Sequence, residues 1–333
     1  MKLLLCLLLC SVSVTKISGG AFRTLLYSDW ITCDHNRTLD LDVSEVQVFF
    51  YDFQNNFNIT YQIDSAVNGI FTNYNLDVTR KLIFFVPGYK SHISKKTEEL
   101  IRQTFSDVKN TYLIIIDHSA YTNARGGKIQ SYERSVFYSY YIGTALGKLL
   151  AGFRKKGYPS KNIHAVGHSL GSQMLGFAGT EYTKETSEKI WRITALDPAG
   201  PCFSNSLIDD QVRSGVAEYV EVYHCSSGGL GTESVLADTD FFINRGRKQP
   251  PCHQGLIPGF GESGADKCSH KKCVEYWAKT VHQPSWYLAW ACDSYDLFSA
   301  GKCSANQMTI AGYSNPGNAT GVFYVSTETY GLL

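Results

Sequence analysis

Short apolar runs alternate along the chain with stretches of helical periodicity, and each run ends at a turn residue. The runs lie at 82–86, 112–116, 163–166 and 190–196. Because they are apolar at nearly every position, we expect strands covered on both faces, as in a parallel sheet. Enzymes built from such βαβ units place their sites at the carboxyl ends of the strands. The pattern predicts an α/β fold with a mostly parallel central sheet flanked by helices.

Charge and composition narrow the class of protein. The 333 residues include 31 Lys and Arg against 30 Asp and Glu, and 13% are aromatic. A net charge of +1 without a polybasic run gives no basis for binding nucleic acid or an anionic membrane. The aromatic content can bury a large core, which excludes a disordered or fibrous chain.

The N-terminus has the pattern of a secretory signal peptide. Lys2 precedes an apolar run at 3–10, and small residues follow at 18–20. The run is too short to span a bilayer, so we expect a signal at 1–18 and a secreted, extracellular domain at 19–333. A buried N-terminal helix is the alternative.

The cysteine count agrees with export. Of ten Cys, Cys6 and Cys10 lie in the signal, and the eight that remain can pair. Seven of these follow residue 200, and the Gly- and Cys-rich segment from about 225 to 270 is predicted to be loop. Zinc binding by the cysteines near 270 is disfavoured, because exported thiols normally oxidise. Glycosylation sequons begin at Asn36, Asn58 and Asn318.

The sequence Gly-His-Ser-Leu-Gly at 167–171 follows a predicted buried strand and precedes a helical stretch. In this context G-x-S-x-G forms a nucleophile elbow, a sharp turn that lifts the serine hydroxyl above the sheet. The pentapeptide alone is weak evidence, and an exposed turn serine is the alternative. We therefore expect Ser169 to be a nucleophile.

A serine nucleophile needs a base, and the base needs an acid that holds its tautomer. Asp197 ends the next predicted strand, at the correct edge of the sheet, although an Asp before Pro198 is also a good helix N-cap. Four later histidines could supply the base, and chain order does not choose among them. They are His224, His253, His270 and His282.

Several motifs together resemble the pancreatic lipase family, in particular its phospholipase A1-type branch known from wasp venoms and other animals. The motifs lie at 48–51, 85–89, 166–171, 194–201, 240–242, 268–270 and 292–295, with Cys303. The resemblance implies an α/β-hydrolase fold. It also implies that Ser169 is the nucleophile, Asp197 the acid and His270 the base, with no cofactor.

The resemblance also locates an oxyanion hole at the backbone N–H groups of Tyr89 and Leu170. Each such donor typically contributes about 3 kcal/mol to stabilising the transition state. The chain departs from the family at Pro87, where His is usual, and at His118, where Trp is usual. Pro87 removes a backbone N–H, but the Tyr89 N–H is retained, so we expect the hole to remain.

Substrate loops and disulfides follow from the same resemblance. Cys252 and Cys268 match the disulfide pair that closes the lid at about 252–268, and the resemblance also implies a disulfide between Cys292 and Cys303. The other four cysteines allow three pairings: they are Cys33, Cys202, Cys225 and Cys273. Apolar residues at the lid tip, which a buried loop would also explain, are Leu256, Ile257 and Phe260. In this family, a short lid accompanies phospholipase A1 activity.

Two family features are expected to be absent, the C-terminal β-sandwich and a structural calcium site. We expect no colipase-type partner and only transient contact with phospholipid aggregates or a membrane surface. The leading hypothesis is a phospholipase A1 that releases the sn-1 fatty acid. The alternatives are a triacylglycerol or galactolipid lipase, and a non-catalytic lipid-binding or yolk-type storage protein.

Overall fold

The structure is a computed structural model that describes residues 33, 35, 37–123, 127–204, 206–252 and 262–328. The strands are β1 (Gln47–Asp52), β2 (Phe57–Gln62), β3 (Lys81–Val86), β4 (Thr111–Asp117), β5 (Ile163–His168), β6 (Arg192–Leu196), β7 (Tyr219–His224), β8 (Thr239–Ile243), β9 (Tyr287–Ala291), β10 (Met308–Ala311) and β11 (Gly321–Val325). The helices are α1 (Ile63–Asn73), α2 (Lys96–Phe105), α3 (Ser119–Thr122), α4 (Lys128–Lys155), α5 (Leu170–Thr186), α6 (Glu262–His282) and α7 (Tyr295–Ser299).

All eleven strands of the described ranges form one sheet, in the order β10-β9-β11-β8-β7-β6-β5-β3-β4-β1-β2. The seven strands from β11 to β4 in this order run parallel to one another. Antiparallel pairs add β1 and β2 at one edge and β9 and β10 at the other. The fold is therefore the α/β-hydrolase arrangement that the sequence predicts.

Alternate residues of the central strands pack into two separate hydrophobic cores, one on each face of the sheet. In β3, Leu82 and Phe84 pack with α1, α4 and α5 on one face of the sheet. Ile83 and Phe85 pack with α2 and α6 on the other face. Because both faces are covered, nearly every residue of such a strand must be apolar, which explains the continuous runs in the sequence.

The prediction of loop from about 225 to 270 is wrong in two places. Residues 239–243 form β8 inside the parallel sheet, and α6 begins at Glu262. No helix within the described ranges is both long enough and apolar enough to cross a membrane.

Four disulfides link the eight cysteines. The two expected pairs, Cys252–Cys268 and Cys292–Cys303, are present. The two pairs that the sequence left open are Cys33–Cys202 and Cys225–Cys273.

Two of the three sequon asparagines, Asn58 and Asn318, are exposed. Other predicted features lie outside the described residues: these are the signal peptide at 1–18, Asn36, and the lid residues Leu256, Ile257 and Phe260.

Candidate active site

Ser169 lies in the sharp turn between β5 and α5, at the carboxyl edge of the sheet. Its backbone adopts φ 56° and ψ −122°, a conformation that is rare for a residue with a side chain. The turn is held by the Ser169 N–H, which donates to the Leu196 carbonyl over 3.0 Å. The Ser169 carbonyl accepts from the Ala199 N–H over 3.1 Å. These bonds place Ser169 beside the end of β6.

Two glycines allow the backbone to approach this turn closely. A Cβ at Gly171 would lie 2.1 Å from the Val86 carbonyl oxygen, and one at Gly88 would lie 2.8 Å from Ser169 Cβ. Real Cβ atoms do not approach other heavy atoms so closely. The loop after β3 therefore packs directly against the turn that carries Ser169.

Asp197 follows β6 with φ 44° and is fully buried. Its Oδ1 accepts from the N–H groups of Cys225 and Ser226, over 2.7 and 2.9 Å. Its Oδ2 lies 2.5 Å from His270 Nδ1. Asp197 is thus the hydrogen-bond acceptor for a histidine, and the alternative of a helix N-cap is wrong because no helix begins here.

The candidate histidines differ in the residues that they contact. His270 projects from α6 onto Asp197, whereas His224 is buried against Asp240, 2.8 Å from Nε2 to Oδ1. His282 contacts the Thr104 carbonyl over 2.9 Å. His253 lies outside the described residues. The sequence predicts loop up to about residue 270, and the structure instead places His270 on helix α6.

The hydrogen bond to Asp197 fixes the proton of neutral His270 on Nδ1 and leaves Nε2 to act as a base. No hydrogen bond joins Ser169 Oγ to His270 Nε2 among the described residues. Such bonds are often long before a substrate binds. However, the residue before Ser169 contacts His270. This contact places the side chains of Ser169 and His270 in the same site.

That residue, His168, was not singled out in the sequence. Its Nε2 lies 3.1 Å from the His270 carbonyl oxygen, and the two rings are 4.5 Å apart between centroids. Burial lowers the pKa of His168 well below its usual range. The imidazole is therefore neutral, and its Nε2–H supports His270 without adding a second positive charge beside it.

The two expected oxyanion donors flank the Ser169 turn. Leu170 is the first residue of α5, where backbone N–H groups have no acceptor within the helix. None of the described residues accepts a hydrogen bond from the Tyr89 N–H. The Tyr89 hydroxyl lies 2.9 Å from Ser131 Oγ, and its ring meets the edge of Tyr132. The side chain thus anchors the loop to α4 while the N–H stays available.

Two neighbouring acidic residues in the segment between β6 and β7 form ion pairs with arginines. Asp210 pairs with Arg37, and Asp209 pairs with Arg213. Among the described residues, no group of three or more His, Cys, Asp and Glu side chains is arranged to hold a metal.

The sequence is similar to those of known proteins over most of its length. A family model described as Lipase matches residues 27–325. Pancreatic triacylglycerol lipase of Sus scrofa is 28% identical over 307 residues, which cover 85% of this chain and 66% of that protein. Lipase member H of Rattus norvegicus is 30% identical over 230 residues, or 68% of this chain and 48% of that protein.

A solved structure, Est1E from Butyrivibrio proteoclasticus, matches with a TM-score of 0.30 and 14% identity. The match covers 48% of this chain and 53% of that one. The chain spans about half to two thirds of the length of the two lipases.

Proposed function

The chain belongs to the pancreatic lipase family, and we propose that it is a secreted serine hydrolase that cleaves carboxylic esters of lipids. The observation that carries this proposal is the contact of 2.5 Å between Asp197 and His270. Ser169 lies in the adjacent elbow and would supply the nucleophile. This combination activates a serine hydroxyl towards esters.

The proposed reaction has two halves. In the first, Ser169 Oγ attacks the ester carbonyl carbon while His270 Nε2 takes the hydroxyl proton. The N–H groups of Tyr89 and Leu170 would stabilise the resulting oxyanion. When the intermediate collapses, the C–O bond to the alcohol breaks, and His270 gives its proton to the leaving oxygen.

In the second half, water replaces the alcohol. His270 takes a proton from a water molecule, and the hydroxide that forms attacks the acyl-Ser169 carbonyl. Collapse of this second intermediate breaks the bond to Ser169 Oγ, which recovers its proton from His270 and releases the fatty acid. Asp197 accepts a hydrogen bond from His270 Nδ1 and stabilises the imidazolium that forms.

We further propose that the substrate is a glycerophospholipid and that the sn-1 acyl chain is released, as in a phospholipase A1. The support is the short lid segment, since Cys252 and Cys268 are only 16 residues apart. A short segment covers less of the acyl groove and leaves room beside Ser169 for a polar head group. Contact with phospholipid aggregates would be transient and would not need a colipase-type partner.

Export from the cell is part of the proposal. Four disulfides within a chain of this size are typical of an oxidising compartment. The apolar run at 3–10 would supply the signal.

A triacylglycerol lipase is the second candidate, favoured by the similarity to a pancreatic triacylglycerol lipase over 85% of the chain. A galactolipid lipase would use the same machinery. A non-catalytic lipid-binding or yolk-type storage protein is less well supported, because Ser169, Asp197 and His270 are all retained.

Phosphatidylcholine with different acyl chains at its two positions separates these functions. Mass spectrometry of the released acids should find the sn-1 chain first, together with weak hydrolysis of emulsified triolein. A preference for triolein with a steep rise in rate at the interface would favour the triacylglycerol lipase. Release chiefly of the sn-2 chain would contradict the proposal.

A further inference from the structure

The carbonyl group of Pro87 faces a buried histidine. His118 Nε2 lies 2.9 Å from the Pro87 oxygen, and His118 has no solvent exposure. The Pro87 oxygen is also close to the start of α5, since a Cβ at Gly171 would lie 2.4 Å from it. Space around this carbonyl is therefore small, and His118 supplies its hydrogen bond.

Because the peptide bond is planar, the contact at the Pro87 carbonyl affects the orientation of the oxyanion donor. In a trans peptide the carbonyl and the following N–H point in opposite directions. A fixed Pro87 carbonyl therefore fixes the peptide plane that enters Gly88. The Gly88 carbonyl in turn accepts from the Ser91 N–H over 3.2 Å, which fixes the direction of the Tyr89 N–H. Both peptide planes ahead of the donor are held.

His118 is itself held in one orientation. Its Nδ1 lies 2.7 Å from Thr122 Oγ1, and the Lys90 N–H donates to the Thr122 carbonyl over 3.3 Å. His118, just before α3, and Thr122, its last residue, thus contact the loop on both sides of Tyr89. Burial lowers the pKa of His118, which favours the neutral ring. Since Nε2 faces a carbonyl, it carries the proton, and Nδ1 can accept from the Thr122 hydroxyl.

We propose that His118 is a positioning residue of the oxyanion hole: its Nε2–H holds the Pro87 carbonyl and thereby aims the Tyr89 N–H at the developing oxyanion. This inference rests on the proposed function, because it concerns the same active site. It also explains how the loop tolerates Pro87. The proline offers the loop no N–H of its own, and the imidazole fixes the loop through the proline carbonyl.

Two polar substitutions test which ring nitrogen matters. In His118→Gln, the side-chain amide nitrogen lies near the position of Nε2 and can still donate to Pro87. In His118→Asn, the amide lies near Nδ1 and reaches only the Thr122 side. Both variants keep a polar group in the same pocket, so the difference between them reports the bond to Pro87.

His164 provides the matched control. It is also buried, and its Nε2 lies 2.7 Å from Thr194 Oγ1. Burial lowers its pKa well below the usual range, and burial also lowers the pKa of His118. Because His164 lies within β5 and does not contact the Pro87 loop, His164→Asn measures the cost of losing a buried imidazole without changing the oxyanion donors.

The readouts are kcat and KM on p-nitrophenyl butyrate, the rate of covalent labelling by a fluorophosphonate, and the melting temperature. For His118→Asn we expect kcat and the labelling rate to fall by about 10- to 100-fold, with KM nearly unchanged, because the lost interaction acts in the transition state. His118→Gln should recover most of the loss. His164→Asn should lower the melting temperature but keep kcat.

Equal kcat values and labelling rates in His118→Asn and the wild-type protein would overturn this inference alone. So would an equal loss in His118→Gln and His118→Asn, or a loss that appears only in KM. A wild-type protein that neither cleaves the ester nor reacts with the fluorophosphonate would overturn the proposed function and this inference together.

Discussion

The backbone N–H of Cys225 donates to Asp197 Oδ1 over 2.7 Å. Cys225 is also disulfide-bonded to Cys273, which follows His270 by one turn of α6. The residue that orients the carboxylate is thus joined covalently to the helix that carries its histidine partner. This link restricts relative movement of Asp197 and His270.

We predict that Cys225→Ala/Cys273→Ala lowers kcat by about 10- to 100-fold, because small displacements of a base reduce the rate steeply. The matched control is Cys292→Ala/Cys303→Ala, which removes a disulfide away from the Asp197–His270 pair and should keep kcat. Ester hydrolysis by folded protein, monitored with circular dichroism, provides the comparison. Equal kcat values for the two double variants would contradict the positioning role of the Cys225–Cys273 bond.

The same two variants differ in stability. The bond between Cys225 and Cys273 closes a separation of 48 residues, against 11 for Cys292 and Cys303. In the chain-entropy model, the longer loop contributes about 1 kcal/mol more to the free energy of unfolding. Urea unfolding should therefore show the larger loss in Cys225→Ala/Cys273→Ala.

The close contact at Gly171 predicts a steric effect. In Gly171→Ala, the new Cβ would collide with the backbone carbonyls of Val86 and Pro87, which lie in or next to a buried strand. We expect the free energy of unfolding to fall by about 2 kcal/mol or more. Gly264 is the control, because a Cβ there meets nothing within 4 Å. Gly264→Ala should raise the free energy of unfolding by roughly 0.5 kcal/mol.

Strands β3, β4 and β5 were predicted from sequence and are confirmed within a few residues. They could be predicted because a strand buried on both faces is apolar throughout. Helix α6 was missed for the opposite reason. Its buried positions include Ser269, His270 and Cys273, so the apolar periodicity that marks other helices is interrupted by the site and its disulfide.

Contacts between residues far apart in the sequence were the second feature that local sequence patterns could not predict. Asp197 and His270 are 73 residues apart, and Cys33 and Cys202 are 169 residues apart. Local patterns carry no information about contacts at such separations. The resemblance to a family indicated the first pair, whereas the second required the folded chain.

A buried ion pair at the end of β1 predicts sensitivity to acid. Arg80 donates to both carboxylate oxygens of Asp52, over 2.8 Å each. Burial raises the pKa of Asp52, but the bonds from Arg80, Tyr74 and Asn55 outweigh it and lower the pKa to about 2. Because the folded pKa lies below the ordinary value of 3.8, the ionised form stabilises the fold. This contribution is complete above pH 3.8 and is lost as the pH falls through about 2.

Asp52→Asn removes this titration. The shift is equivalent to about 2 kcal/mol, so the variant should be less stable than the wild-type protein at pH 7 by roughly this amount. The difference should shrink as the pH approaches 2. Urea unfolding at pH 7, 4 and 2 measures it. A difference that stays constant with pH would show that Asp52 is not the group responsible.

His270 and His282 lie on the same helix, and their substitution separates a base from a bystander. His270→Ala should lower ester hydrolysis by about 10⁴-fold. His282→Ala removes a half-exposed ring that contacts Thr104 and should keep the activity. A comparable loss in a folded His282→Ala variant would contradict the assignment of the base.

The central claim is that Ser169 is a nucleophile activated by His270 and Asp197. The most direct test is the intact mass of the wild-type protein and of Ser169→Ala after incubation with a fluorophosphonate, followed by peptide mapping. We predict one adduct, on Ser169, in the wild-type protein and none in Ser169→Ala. A wild-type protein that takes up no adduct, or that carries it on another residue, would contradict the claim.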